Sequence, residues 1–129
     1  MTMDKKPTRV RKAPAKKAAT PDLSIPRELA EEILELLDSK KAVEPIILEV
    51  GSKTVVADFF VVASAKSTTA VRALGEHVIE KLKKDRDIMV LRREGLSEGR
   101  WAALDYGSVI VHIFLQEARD TYQLEKLWA

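Results

Sequence analysis

Residues 104–115 have the sequence LDYGSVIVHIFL and decide the fold. The first part, Asp105-Tyr106-Gly107, is typical of a tight turn between two strands. The apolar run that follows predicts a strand, in which alternate side chains point to opposite faces. One face would carry Val109, Val111 and Ile113, and the other would carry Ile110, His112 and Phe114. Because both faces are apolar, we expect this strand to lie at the centre of a sheet that is covered on both sides.

Four other short segments are rich in residues that favour β-structure and are bounded by turn residues. They cover residues 46–50, 57–63, 88–91 and 101–104. Gly51 and Ser52 end the first of them, and the Asp105–Gly107 turn joins the last to the central strand. With the central strand at 108–115, these segments predict five strands.

Two longer segments have the periodicity of amphipathic helices. The first starts at Ser24 or Ile25, just before Pro26, and ends near Asp38. The second starts after Ser67, a good N-cap residue, and runs to about residue 84. Gly75 falls on its apolar stripe, which suggests that the backbone of a strand or of a partner approaches closely there. A short helix and an apolar anchor are expected within residues 117–129. The order of elements favours an α/β fold, a mixed five-stranded sheet with helices packed on it.

Charge divides the 129-residue chain into two regions. Residues 1–20 hold seven basic side chains and one acidic side chain, for a net charge of +6, whereas residues 21–129 have a net charge of −4. The basic region has few large apolar residues, so it cannot bury enough surface to offset its chain entropy. We therefore predict a basic disordered tail over residues 1–22 and a folded domain over residues 23–129.

The composition excludes several classes of function. The chain has no Cys and only two His, His77 and His112, so thiolate catalysis and Cys-ligated zinc are ruled out. The expected state of His112 is a buried, hydrogen-bonded side chain rather than a general base. The apolar runs are too short to span a bilayer and no export signal is visible, which favours a cytoplasmic protein without membrane segments. We predict a protein that is not an enzyme, with no catalytic residue, no cofactor and no metal.

The residues most suited to function lie between Glu94 and Gly107. This segment combines two aromatic residues, Trp101 and Tyr106, with several carboxylates. Aromatic side chains are frequent anchors of protein interfaces, and carboxylates attract a basic partner. The alternative is that Trp101 and Tyr106 simply close the edge of the core.

Four segments together resemble the ribosomal silencing factor family, RsfS, also called Iojap-like. The matching residues are 57–62 (ADFFVV), 94–101 (EGLSEGRW), 104–114 (LDYGSVIVHIF) and 119–128 (RDTYQLEKLW). The resemblance extends over roughly residues 26–128. It implies a small α/β domain related in topology to nucleotidyltransferases but without their activity.

The resemblance also implies a mechanism. Members of this family bind a large-subunit ribosomal protein, number fourteen, on the face where the small subunit docks. They thereby block joining of the two subunits and repress translation when nutrients are limiting. The net charge of −4 suits such a partner, because ribosomal proteins are typically basic. Carried over by position, the residues expected to face the partner are Trp101, Leu104, Asp105, Tyr106 and Gly107, with Glu94 and Glu98 as salt-bridge acceptors.

Three other expectations remain open at this stage. The first alternative function is a nucleotidyltransferase-like enzyme that uses Asp58, Asp85 or Asp87 to hold Mg²⁺. The second is a general RNA-binding protein driven by the basic tail, which would contact phosphates and could also reach ribosomal RNA. Away from the ribosome, an apolar edge strand could pair in a homodimer.

Overall fold

The computed structural model describes residues 24–122, and the basic tail predicted over residues 1–22 lies outside this range. The described part consists of three helices and five strands. In chain order they are α1 (Ser24–Ser39), β1 (Val43–Glu49), β2 (Phe59–Ala65), α2 (Thr68–Arg86), β3 (Arg92–Glu94), β4 (Trp101–Asp105), β5 (Val109–Leu115) and α3 (Gln116–Tyr122). The expected apolar anchor after α3 also lies outside the described residues.

All five strands form one mixed sheet in the order β1-β2-β5-β4-β3. Strands β2 and β5 are parallel, and the other neighbours are antiparallel. The predicted α/β fold with a mixed five-stranded sheet is therefore confirmed, and β5 occupies the central position expected from its two apolar faces. The nucleotidyltransferase-like topology implied by the resemblance stays a prediction.

Helices α1 and α2 pack on the same face of the sheet and form the main core with it. Their contributions include Ile33 and Leu37 from α1 and Leu74 and Val78 from α2, all of them buried. Ser67 caps α2, because its hydroxyl accepts a hydrogen bond from the backbone N–H of Ala70. We call this face of the sheet the helical face.

The opposite face of the sheet carries a second, smaller apolar cluster. Phe60, Val62 and Phe114 are buried there, together with Ala118 from α3. Since α3 follows directly after β5, it reaches only one end of this face, which we call the α3 end. The other end carries the β1–β2 loop (residues 50–58), the β4–β5 turn (residues 106–108) and the start of α1, and we call it the turn end.

The structure corrects two predicted strands. Residues 88–91 form no strand: Ile88 and Val90 pack against the main core, and the pairing with β4 begins only at Arg92. Ile88 and Val90 are therefore apolar because they pack against the main core, whereas Met89 and Leu91 are exposed. Strand β1 also starts earlier than expected, at Val43, because Pro45 is tolerated at a bulge in this edge strand.

The group that lies close to Gly75 is not the backbone that was expected. A Cβ atom at this position would meet the side chains of Leu96, at 2.5 Å, and of Ile113. The close neighbour is therefore a side chain from the β3–β4 loop and not a backbone. Leu96 fills the space that the glycine leaves, which docks that loop against α2.

Candidate protein-binding face

Strand β4 divides its side chains between the two faces of the sheet. Ala102 and Leu104 are fully buried on the helical face. Trp101, Ala103 and Asp105 point to the opposite face and are each partly exposed. Since alternate residues lie about 7 Å apart along a strand, these three residues form a stripe about 13 Å long. We call Trp101, Ala103 and Asp105 the β4 stripe.

Trp101 is held in place by ring contacts and by a hydrogen bond. Its indole Nε1 donates to Nδ1 of His112 at 3.0 Å. The Trp101 ring also lies 4.9 Å from the ring of Phe114, which is directly opposite on β5. The indole therefore has a fixed orientation at the α3 end of the stripe, with part of its surface open to solvent.

His112 is buried and hydrogen-bonded, as predicted from its position on the central strand. Its Nδ1 accepts the bond from Trp101, and its ring makes an edge contact with Phe60 at 4.7 Å. Burial lowers the pKa of His112 from 6.5 to about 4. The imidazole is consequently neutral near pH 7, which is the state in which Nδ1 can accept the indole proton.

The β4–β5 turn fixes the other end of the stripe. A carboxylate oxygen of Asp105 accepts a hydrogen bond from the backbone N–H of Gly107 at 2.8 Å, and Tyr106 N–H donates to the carbonyl of Val109. Gly107 adopts φ = +86°, a conformation that glycine tolerates better than any residue with a Cβ atom. The turn therefore needs both Asp105 and Gly107, and it holds the Asp105 carboxylate at the surface.

Leu104 and Tyr106 lie on the helical face and not in the stripe. Leu104 is fully buried and Tyr106 is 8% exposed, both within the main core. Burial raises the pKa of Tyr106 to about 12, while the nearby Arg93 opposes this shift. These two side chains therefore hold the strand and its turn against the helices, whereas the surface is formed by their neighbours in sequence.

Of the two predicted salt-bridge acceptors, Glu94 lies beside the stripe. Glu94 on β3 pairs in register with Ala103, so its exposed side chain belongs to the same face. Glu98 is exposed in the β3–β4 loop, whose neighbouring Ser97 carbonyl accepts a hydrogen bond from Arg72 of α2 at 3.2 Å, so this carboxylate lies on the side of the helices. Gly95 at the start of this loop has φ = +79°, and a Cβ atom there would collide with the carbonyl of Trp101. This glycine lets the loop pass close to the strand that carries the indole.

The residues of the nucleotidyltransferase alternative do not form a metal site. Within residues 24–122, no three or more His, Asp or Glu side chains are grouped so that they could hold a metal ion. Asp58 precedes β2, where burial raises its pKa, while Asp85 and Asp87 lie at the exposed end of α2. The geometry of these carboxylates gives that alternative no support. None of the helices in this range is long and apolar enough to cross a membrane.

Two features of the site were missed in the sequence. The first is the bond between Trp101 and His112, which are diagonal neighbours across β4 and β5 and become so only once the strand register is known. The second is Ala103, a small residue without chemistry of its own that lies between Trp101 and Asp105. The alternation of Trp101, Ala103 and Asp105 with buried residues was the signal that could have revealed it.

Comparison with known protein families gives one match over most of the chain. Residues 23–129 match the family described as ribosomal silencing factor during starvation. A ribosomal silencing factor from Halalkalibacterium halodurans is 34% identical over 102 residues, which cover 79% of this chain and 86% of the relative. A mouse protein named mitochondrial assembly of ribosomal large subunit protein 1 is 32% identical, over 74% of this chain and 43% of the relative.

Solved structures agree with the observed fold. A crystal structure of a protein from Chromobacterium violaceum is 32% identical and superposes with a TM-score of 0.76, covering 79% of this chain and 84% of that chain. A second crystal structure, from Bacillus halodurans, has 32% identity and a TM-score of 0.66 over 81% of this chain and 93% of that chain.

Proposed function

Since the chain belongs to the ribosomal silencing factor family of translational regulators, we propose that it binds the large ribosomal subunit and prevents the small subunit from joining it. The bound component is large-subunit ribosomal protein fourteen, on the face between the subunits. The effect is repression of translation when nutrients are limiting, in keeping with the starvation named in the family description. The protein acts without catalysis, by occupying space.

The observation that carries this proposal is the β4 stripe. A partly buried tryptophan, oriented by His112 and Phe114, is a rigid aromatic anchor of the kind that dominates protein interfaces. Ala103 beside it is small, so a partner can approach the strand backbone closely. Asp105 closes the stripe with a carboxylate that the turn has already positioned, which reduces the entropy lost on binding.

Charge favours a basic partner at this face. Residues 21–129 have a net charge of −4, and on this face the exposed Glu94 lies beside Ala103, while Arg92 beside Asp105 adds one positive charge. Complementary charge of this kind speeds association and selects against acidic surfaces more than it adds affinity. Ribosomal proteins are typically basic, so a large-subunit protein fits this electrostatic requirement.

Steric exclusion follows from where the partner lies. Residues 24–122 form a small domain. A domain bound to the intersubunit face occupies volume that the small subunit needs. No chemical step is required, and release of the protein restores joining. The basic residues 1–22 form a separate region in this proposal and add salt-dependent contacts to ribosomal RNA.

A subunit-joining assay tests the proposal. Purified protein is added to large subunits, small subunits are then mixed in, and light scattering follows the formation of complete ribosomes. We expect joining to fall in proportion to the occupancy of the large subunit, which sedimentation measures in parallel. A protein that does not bind large subunits, or that binds them without reducing joining, would contradict the proposal.

A further inference from the structure

The turn end of the molecule carries an unusual concentration of exposed apolar side chains. Within residues 24–122, five large apolar residues are clearly exposed: Ile25 (73%), Val55 (104%), Val56 (64%), Met89 (55%) and Leu91 (72%). All five lie at the turn end, although they come from three separate parts of the chain. Exposed apolar groups gathered in one region mark an interaction surface more often than single scattered ones do.

The placement of each group follows from contacts of its neighbours. Ile25 lies at the start of α1, where Arg27 pairs with Glu49 at the end of β1 at 3.1 Å. Val55 and Val56 belong to the loop that follows β1. Met89 and Leu91 follow α2, and Leu91 N–H donates to the carbonyl of Asp105 at 2.8 Å.

The exposure of Val55 and Val56 is built into an ordered loop. The N–H groups of Val50 and Gly51 both donate to the carbonyl of Asp58, which closes the loop at its base. Within it, the N–H of Val56 donates to the hydroxyl of Thr54 at 3.1 Å. The backbone therefore holds both valine side chains in solvent. Their exposure to water is unfavourable, and nothing within the described residues of the isolated domain offsets it.

Three of these side chains belong to segments that contact the β4–β5 turn, where the β4 stripe ends, and we call Val55, Val56 and Leu91 the apolar rim. Leu91 reaches the turn, since a Cβ atom at Gly107 would lie 3.6 Å from Leu91 Cδ1. On the other side, the N–H of Asp58, two residues after Val56, donates to the carbonyl of Ser108 at 2.8 Å. The rim thus flanks the turn that carries Asp105 and Gly107.

We propose that the apolar rim and the β4 stripe form one continuous surface for the same basic protein of the large subunit. This inference rests on the proposed function and deepens it, because it adds an apolar contact area next to Asp105. Chain connectivity supports the ribosome as the occupant: α1 begins at the turn end, so the basic residues 1–22 join the domain where the rim lies. With this end facing the ribosome, those residues are attached where ribosomal RNA is within reach.

The test compares variants in their affinity for purified large subunits, measured by sedimentation at fixed salt. The rim variant carries Val55→Ser, Val56→Ser and Leu91→Ser, and the matched control carries Ala73→Ser, an exposed alanine of α2 away from the turn end. We expect the rim variant to bind at least about tenfold more weakly and the control to bind like the parent protein. Val55→Ser alone serves as a second variant, because this fully exposed side chain contributes little to folding.

The outcomes separate the inference from the proposed function. If the parent protein binds and both rim variants bind equally well, the rim is not part of the surface, while the proposed function stands. If the parent protein fails to bind large subunits, both proposals fail. Analytical ultracentrifugation tests whether a second copy of the chain binds the rim instead. If the parent protein dimerises, and the rim variant loses the dimer but still binds large subunits like the parent, the inference is overturned.

Discussion

The two faces of β4 have the same backbone and very different surroundings. On the helical face, Ala102 and Leu104 are fully buried among side chains of α1 and α2. On the opposite face, Trp101, Ala103 and Asp105 remain partly exposed. One strand therefore separates the residues that hold the domain together from those that we propose bind the partner. The separation is set by the alternation of side chains along a strand.

The largest effect on stability is expected from a substitution on the helical face of β4. Replacing Leu104 by Ala removes a fully buried side chain and leaves a cavity, which costs about 2 to 5 kcal/mol of unfolding free energy. Urea unfolding followed by circular dichroism measures the loss. The control is Ala103→Ser on the opposite face, for which we expect a change within about 0.5 kcal/mol. Equal effects of the two substitutions would show that the faces do not differ.

His112, on the same face of the sheet as Trp101, makes the stability of the domain depend on pH. Burial lowers its pKa from 6.5 to about 4, so the unfolded chain binds the proton more readily than the folded domain does. The folded state therefore loses stability as the pH falls from about 6.5 to 4, by a total of about 3 kcal/mol.

Thermal unfolding from pH 7 to pH 3 measures this effect. His112→Phe removes the titrating group, so the variant should lose less stability than the parent protein over this interval. The comparison between the two proteins isolates His112 from His77 and from the carboxylates, which titrate in both. Parallel pH profiles would contradict a neutral, buried His112.

Substitution of Trp101 tests whether the exposed face of β4 binds the large subunit. We expect Trp101→Ala to weaken binding to large subunits by at least about 2 kcal/mol, roughly thirtyfold, because a rigid aromatic anchor is lost. The measurement is the dissociation constant from sedimentation, with circular dichroism as the check on folding. Arg100→Ala, at the exposed neighbouring position, is the control and should bind like the parent protein. A folded Trp101→Ala variant with unchanged affinity would place the indole in the core alone.

Substitution of Gly107 is expected to have the smallest effect on stability, and it tests the contribution of the turn. Ala at this position must adopt φ near +86°, which costs about 1 kcal/mol of unfolding free energy. No steric clash adds to this cost, because Leu91 Cδ1 lies at an ordinary contact distance of 3.6 Å. Urea unfolding of Gly107→Ala against Ser108→Ala checks it, and a loss above about 3 kcal/mol would point to a cause other than backbone strain.

Much of the fold could be predicted because its elements have strong patterns. Strand β5 is apolar on both faces, and Ser67 and Pro26 mark the helix starts. Strand β3 could not be found in this way, since its residues Arg92–Glu94 are polar and exposed and their pairing depends on β4. Of the apolar residues just before it, Ile88 and Val90 pack against the main core, a tertiary contact that resembles strand character in the sequence.

The segment that carries the candidate site could be predicted from the sequence, but the side chains of that segment that are exposed could not. Aromatic and acidic residues identified the region from Glu94 to Gly107, yet type alone does not say which side chains are exposed. The placement of Leu104 and Tyr106 in the core follows from their alternation with Trp101 and Asp105. The bond from Trp101 to His112 needs the register of two strands, and the apolar rim needs the β1–β2 loop and the segment before β3 to meet at the β4–β5 turn.

Ala103 provides the most direct test of the central claim that the exposed face of β4 is the partner-binding surface. A lysine at this position adds a bulky positive charge at the centre of the stripe and removes no packing from the helical face. The dissociation constant of Ala103→Lys for purified large subunits is the quantity to measure. We predict binding at least about tenfold weaker than that of the parent protein, with unchanged thermal stability. A folded Ala103→Lys protein that binds large subunits as tightly as the parent would contradict the claim.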